Sequence, residues 1–296
     1  MRWICVATML MPIVASAQAK PMPMAMGHGH LAEGDSLSRA ARDQIAEARR
    51  AASQLDTPEK ARAAGYRPRF GDVPLQGVHW SNPALVLSGT FDIDRPPTLM
   101  FAPINGRDQL IGVAYTYEIK DGAPIPDGFD GAAMWHEHPA LSIPGHRLVM
   151  THVWFIDSPY GPFAHDNPDV PFFERGMRPP PDGWLDAETL RRVALALALA
   201  ARQAPRNGRI ARGPHSDSVI AVLASQRDSV DVQAGRLEQL RRAGDRPGYQ
   251  ALAARIGAES DGLVATIKAI PADPLIRSIF ARLLDEALSE HPAAGH

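Results

Sequence analysis

Cysteine is almost missing from this sequence. Cys5 is the only one among 296 residues, and it lies in a segment with the marks of a signal peptide. Arg2 precedes a largely apolar run, 3–14, that is too short to span a bilayer, and Ala17-Gln18-Ala19 matches an A-x-A cleavage site. We predict a signal peptide at 1–19, cleaved near Ala19, with an uncleaved anchor as the alternative.

Export and the loss of Cys5 together exclude several kinds of chemistry. A mature chain without cysteine has no disulfide, no thiol nucleophile and no cysteine-ligated zinc or iron–sulfur site. We expect a periplasmic or secreted protein whose mature chain has no transmembrane segment.

The sequence also lacks an excess of either charge: 31 lysines and arginines balance 33 aspartates and glutamates, and the formal net charge is only -2. This balance gives no reason to expect nucleic acid or an anionic membrane as a partner. The sequence has no phosphate-binding loop, no Gly-x-Gly-x-x-Gly after a strand, no His-Glu-x-x-His and no Gly-x-Ser-x-Gly. The sequence therefore disfavours three classes of enzyme: the common nucleotide-dependent enzymes, zinc proteases with a His-Glu-x-x-His helix, and serine hydrolases with a Gly-x-Ser-x-Gly turn.

What the chain does have is histidine and methionine in close association. The segment 20–35 is predicted to be a flexible leader, and it contains a biased tract of soft ligands formed by Met22, Met24, Met26, His28 and His30. Such a tract can wrap Cu(I), and an unstructured tail of chance composition is the alternative.

The remaining sequence predicts an α+β fold with a compact antiparallel β-rich core. Short helices should lead a β-rich histidine domain at 36–183, and 184–296 should form a helical hairpin or bundle. Within the core, Asn105-Gly106 indicates a hairpin turn between strands 98–104 and 109–119, and 147–156 is a further strand.

Six of the eleven histidines fall between residues 79 and 165. In an extended strand every second side chain points to the same face, so Met134, His136 and His138 would share one face and Met150 and His152 another. Imidazole and thioether together form a ligand set suited to copper when no thiolate is present. We therefore predict a metal site made by His136, His138 and His152, completed by His79 or Met150.

Each of these residues also has an ordinary structural interpretation. His136 and His138 could lie in a surface turn, His152 and His79 could be hydrogen-bonded core histidines, and Met150 could fill the core. His146 is too far along its strand to join the same site, and His165 is interpreted as a turn residue whose ring bonds Asp166. If the protein is an enzyme, Glu137 and Asp130 are the candidate bases.

Part of the chain is similar to a family of exported bacterial proteins of unknown function. The similarity runs from about Ala61 to Pro168 and includes Gly-Val-His-Trp-Ser-Asn-Pro, His-Val-Trp and Gly-Pro-Phe-Ala-His-Asp-Asn-Pro. The resemblance implies no activity, but it implies that His79, His152 and His165 stand in recurring motif positions.

Three functions follow from these patterns. The first is binding or handling of a transition metal, copper first and zinc or iron as alternatives. The second is a metal-dependent enzyme of hydrolase or oxidase type, with an open coordination position. The third is a metal-free protein that binds a protein partner through its C-terminal helices.

Overall fold

A six-stranded antiparallel sheet is the frame on which the histidines are mounted. The computed structural model describes residues 37–139, 141–201 and 214–269. The strands are β1 (Arg67–Val73), β2 (Gly77–Ser81), β3 (Thr98–Ile104), β4 (Arg107–Lys120), β5 (His136–Glu137) and β6 (His146–Trp154). Their order across the sheet is β1-β2-β3-β4-β6-β5. The α+β fold class predicted from the sequence is confirmed.

Helices precede, interrupt and follow this sheet. They are α1 (Arg39–Ala52), α2 (Pro58–Ala63), α3 (Pro83–Val86), α4 (Val170–Glu174), α5 (Ala187–Ala201), α6 (Pro214–Ala243) and α7 (Arg246–Ala269). Thr57 caps α2, with its hydroxyl accepting from the backbone N–H of Lys60. Asp186 likewise accepts from the backbone N–H of Thr189 at the start of α5.

The predicted β3–β4 hairpin is confirmed. Asn105 and Gly106 both have positive φ, at 52° and 74°. Two consecutive residues in this region match a type I′ turn, whose twist suits two antiparallel strands. The hairpin matters for the site because β3 and β4 form the middle of the sheet, between the strands that carry His79 and His152.

The two faces of the sheet differ in character. One face packs against α1 and α2 and carries large apolar and aromatic side chains, including Trp80, Tyr115 and Tyr117. The other face carries His79, Met100, Gly112 and Trp154 in one cross-strand row, and Ala114 beside His152 in the next. Strand alternation therefore places the histidines on one face of the sheet, with the small residues Gly112 and Ala114 beside them.

The C-terminal helices form a second apolar core. Residues of α5, α6 and α7 pack together, and Leu75 and Phe172 of the β-rich part join them. Phe172 packs among the helices, because the segment 170–174 folds into α4 beside α5. Among the described helices, none is both long and apolar enough to cross a bilayer.

Several boundaries differ from the sequence predictions. The predicted strand 109–119 is β4 at Arg107–Lys120, and the predicted strand 147–156 is β6 at His146–Trp154. The predicted signal peptide, the predicted Met/His leader and the end of the predicted helical region, 270–296, lie outside the described residues.

Candidate metal centre

Five histidines from four parts of the chain meet on one face of the sheet. His79 comes from β2, His136 and His138 from β5 and the residue just after it, His152 from β6, and His165 from the loop before α4. The ring centroids of His136 lie 4.8 Å from His138, 4.5 Å from His165 and 5.3 Å from His152. The predicted convergence of imidazoles is therefore present.

Three of these rings form a group that could hold a metal ion. His136, His138 and His165 each offer a ring nitrogen, and the three atoms all lie within 4.8 Å of one another. His136 pairs with Met150 across β5 and β6, and the backbone N–H of His138 bonds to Leu148 O at 2.9 Å. This backbone pairing places the two rings on the same side of β5, as strand alternation predicts.

The third ring is held by a carboxylate. His165 Nδ1 lies 3.0 Å from Asp166 Oδ1, and the guanidinium of Arg191 on α5 donates to Asp166 Oδ2 at 3.2 and 3.3 Å. The amide nitrogen of Gln76 also donates to Asp166 Oδ1 at 3.1 Å. A carboxylate behind a histidine fixes the tautomer and leaves the other ring nitrogen for a metal. Nε2 is then the candidate ligand atom of His165, and the amide nitrogen of Gln76 lies 3.4 Å from it.

Gln76 reaches this carboxylate from a strained turn between β1 and β2. Leu75 has a positive φ of 64°, although its side chain is buried in the helical core. Its carbonyl accepts from the backbone N–H of Asn167 at 3.1 Å. The turn therefore ties β2 directly to the loop that carries His165 and Asp166.

The remaining two histidines form a pair. Nε2 of His79 and Nε2 of His152 are 3.3 Å apart, and both rings are buried, with exposed fractions of 5% and 0%. Burial, followed by the charges of neighbouring histidines, lowers the pKa of His79 to about 4. The same two causes hold the pKa of His152 well below its ordinary value. Both rings are neutral near pH 7, which is the form that binds metals.

His136 is also prepared as a ligand. Burial and then the charges of His165 and His138 hold the pKa of His136 well below its ordinary value. Its Nε2 is buried and has no hydrogen-bond partner among the described residues. A buried ring nitrogen without a partner is uncommon in folded proteins, and an ion would satisfy it.

Asp166 places a negative charge directly beside His165, with Oδ1 3.0 Å from Nδ1. Burial by itself raises the pKa of Asp166, but His165, Arg191 and Gln76 together outweigh burial and hold that pKa well below its usual range. The carboxylate is ionised near pH 7 and offsets the positive charge of Arg191 beside the site.

The other candidates named from the sequence lie as follows. Met150 is buried in a small apolar cluster with Met100 and Trp154, on the face that carries the histidines. Whether it binds an ion stays a prediction. Met134 packs with the aromatic core on the opposite side of the sheet. The expectation that it shares a face with His136 is wrong, because regular strand geometry begins only at His136.

Both candidate bases point away from the histidines. Glu137 forms an ion pair with Arg147, and its register partner Val149 belongs to the aromatic core. Asp130 accepts a hydrogen bond from Ser38 at the start of α1, on that same side. His146 lies at the far end of β6, with Nδ1 3.3 Å from Pro144 O.

The sequence patterns predicted His165 to be a turn residue and gave no indication of a role for Gln76 or Arg191. The predicted contact between His165 and Asp166 is confirmed, but it orients a candidate ligand rather than closing a simple turn. The motif resemblance was the one signal that marked His165. All three histidines that it marked, including His79 and His152, belong to the cluster of five.

No family model, curated protein or solved structure matches this chain. The geometry of the histidine cluster is therefore the main observation that bears on function.

Proposed function

We propose that this protein binds and handles a transition-metal ion, copper first, through His136, His138 and His165 after export to the periplasm. The observation that carries the proposal is the meeting of these three ring nitrogens within 4.8 Å of one another. Imidazole suits copper, zinc, iron and nickel, so the ligand set alone leaves the metal open.

Copper is placed first because two methionines lie on the same face of the sheet as the histidines. Thioethers of Met100 and Met150 lie in the apolar cluster on the same face. The sequence also predicts an exported chain with a soft Met/His tract at its mature start. Methionine sulfur is a ligand for Cu(I) and a poor one for zinc or magnesium. Zinc and iron remain the alternatives that the experiment below separates.

The test is elemental analysis of the full chain, exported to the periplasm and purified without an affinity tag. We expect bound copper in the wild type and one copper ion fewer per chain in His138→Gln and in His165→Gln. His146→Gln is the matched control, because His146 lies in the same sheet but outside the cluster. Retention of the wild-type metal content by both cluster variants would reject these ligands, and zinc or iron in place of copper would reject the choice of metal.

A metal-dependent enzyme is the second candidate function, favoured by the partial exposure of His136 and His165. An ion with three protein ligands and an exchangeable fourth position can activate water or bind oxygen. Water exchange at the loaded site, followed by relaxation of solvent protons on a paramagnetic ion, distinguishes the two candidates. Fast exchange would favour catalysis, and its absence would favour storage or transfer.

The interaction hypothesis gains no support from the described part of α6. Val230, Leu237 and Leu240 of its apolar stripe are buried in the helical core. We therefore propose no docking surface on this helix.

A further inference from the structure

The pair formed by His79 and His152 lies beside the three-histidine group but is distinct from it. The rings of His152 and His136 are 5.3 Å apart, so the two groups are neighbours. Five imidazoles exceed the four positions of one tetrahedral ion. One ion therefore cannot account for all five histidines, and His79 and His152 are available for a separate role.

The two side chains reach each other across the middle of the sheet. β2 and β6 are separated by β3 and β4, which in a flat sheet corresponds to about 14 Å between the outer two strands. The Nε2 atoms are nevertheless 3.3 Å apart. Gly112 and Ala114 on β4 lie in the rows that the two rings cross, and their small size leaves room.

Met100 extends along the same row. It is the register partner of His79 on β3, and its own partner on β4 is Gly112. Its terminal methyl lies 2.5 Å from the position where a Cβ on Gly112 would be. The thioether of Met100 therefore reaches over β4 towards β6, in the direction in which His79 reaches His152. It is completely buried.

A structural hydrogen bond does not fully account for the pair. One ring can donate to the other through Nε2, but Nδ1 of the fully buried His152 has no hydrogen-bond partner among the described residues. A buried polar atom left unsatisfied costs stability, and an apolar side chain of similar size would avoid that cost. An unsatisfied histidine in a core is therefore a sign of function.

We propose that His79, His152 and Met100 form a second, fully buried metal site that takes Cu(I). The separation of the two Nε2 atoms, 3.3 Å, equals the spacing of about 3.3 Å that two imidazoles have on one tetrahedral ion with metal–nitrogen bonds of about 2.0 Å. Two imidazoles and a thioether form a soft, neutral ligand set. A buried neutral site favours a monovalent ion, because the cost of removing an ion from water rises steeply with its charge. The choice of copper rests on the proposed function.

The test compares the stoichiometry of two ions in the full, tag-free chain in which the leader residues Met22, Met24, Met26, His28 and His30 are replaced by alanine, so that the leader contributes no copper ligands. Cu(I) is titrated without oxygen against a chromophoric Cu(I) chelator, and Zn²⁺ is titrated separately against a zinc indicator. We expect two Cu(I) and one Zn²⁺ per chain. Met100→Leu conserves volume in the core. This variant should lower the affinity for the second Cu(I) at least tenfold and leave Zn²⁺ binding unchanged.

Met177→Leu is the control, since Met177 packs against the helical core and not on the face that carries the histidines. It should retain both Cu(I) ions. One Cu(I) per chain, unaffected by Met100→Leu, would overturn the second site and leave the three-histidine site standing. Equal losses in the two methionine variants would overturn the assignment of Met100. Failure to bind either ion would overturn the proposed function itself.

Discussion

Asp166 divides its two carboxylate oxygens between His165, a candidate metal ligand, and Arg191 of the helical bundle. Oδ1 lies 3.0 Å from Nδ1 of His165, while Oδ2 accepts from Arg191 at 3.2 Å. The side chains of Asp166 and Arg191 are only 10% and 8% exposed. The orientation of His165 is therefore coupled to the packing of α5 against the sheet.

Asp166→Asn should weaken metal binding and unfold more easily. The amide can still accept from His165, but it no longer neutralises Arg191, and breaking a buried pair costs about 3–5 kcal/mol. Loss of the supporting carboxylate should lower metal affinity about 10–100-fold. Urea unfolding of the metal-free chain and metal titration measure the two effects separately.

The double variant Asp166→Asn with Arg191→Gln is the control for this pair. It leaves no unpaired guanidinium, so most of the lost stability should return while the affinity stays low. If affinity returns together with stability, Asp166 acts through folding and does not orient the ligand.

Asp169→Asn should flatten the dependence of stability on pH. Burial, followed by the charges of Asp157 and Asp182, raises the pKa of Asp169 from 3.8 to about 7. Between these values the folded chain holds a proton that the unfolded chain has released, so this group reduces stability as pH rises through that interval. The variant has no such proton, and it should be more stable than the wild type at pH 8.

Urea unfolding of the metal-free protein at pH 5, 6, 7 and 8 measures the difference in slope. Asp121→Asn, at an exposed carboxylate in the turn after β4, is the control and should keep the wild-type slope. A wild-type slope in Asp169→Asn would show that this carboxyl is ionised throughout the range.

Gly112→Ala should destabilise the sheet and disturb Met100. A Cβ at this position would meet the terminal methyl of Met100 at 2.5 Å and the carbonyl oxygen of Val153 at 2.7 Å. The backbone oxygen cannot move freely, so we expect a loss of about 1–3 kcal/mol. Gly235→Ala on α6 is the control: nothing lies within 4 Å of its added Cβ, and a gain of about 0.5–1 kcal/mol is expected. Chemical unfolding of both variants provides the comparison.

Leu75 offers a test of backbone strain. Both Leu75→Ala and Leu75→Gly lose packing in the helical core, by about 2–5 kcal/mol. Because φ at this residue is 64°, glycine relieves strain of about 1 kcal/mol that alanine keeps. The glycine variant should therefore be at least as stable as the alanine variant in urea unfolding, which reverses the order found in regular strands and helices.

Local patterns explain which features could be predicted from the sequence. The Asn105-Gly106 turn, the Thr57 cap and the alternation of β6 each depend on a few neighbouring residues. The contacts of Arg191 with Asp166 and of Gln76 with His165 join residues that are 25 and 89 positions apart. Nothing local to Arg191 on α5 distinguishes it from a solvent-exposed arginine, so its role could not be predicted from periodicity.

Register and strand length explain the remaining misses. β5 has only two residues, which is too short for alternation to place Met134. Met100 lies in an apolar strand and carries no sign of a ligand until the register places it beside His79 and over Gly112. Such proximity arises only after the sheet has formed.

The contact between Arg191 and Asp166 has a consequence for shortened forms of the chain. A proteolytic fragment ending before α5 would keep every imidazole of the cluster, yet the carboxylate behind His165 would lose its guanidinium. For the proposed metal site, such a fragment would retain all the ligand atoms and still bind the ion more weakly, so proteolysis after the sheet would release the ion without removing a ligand.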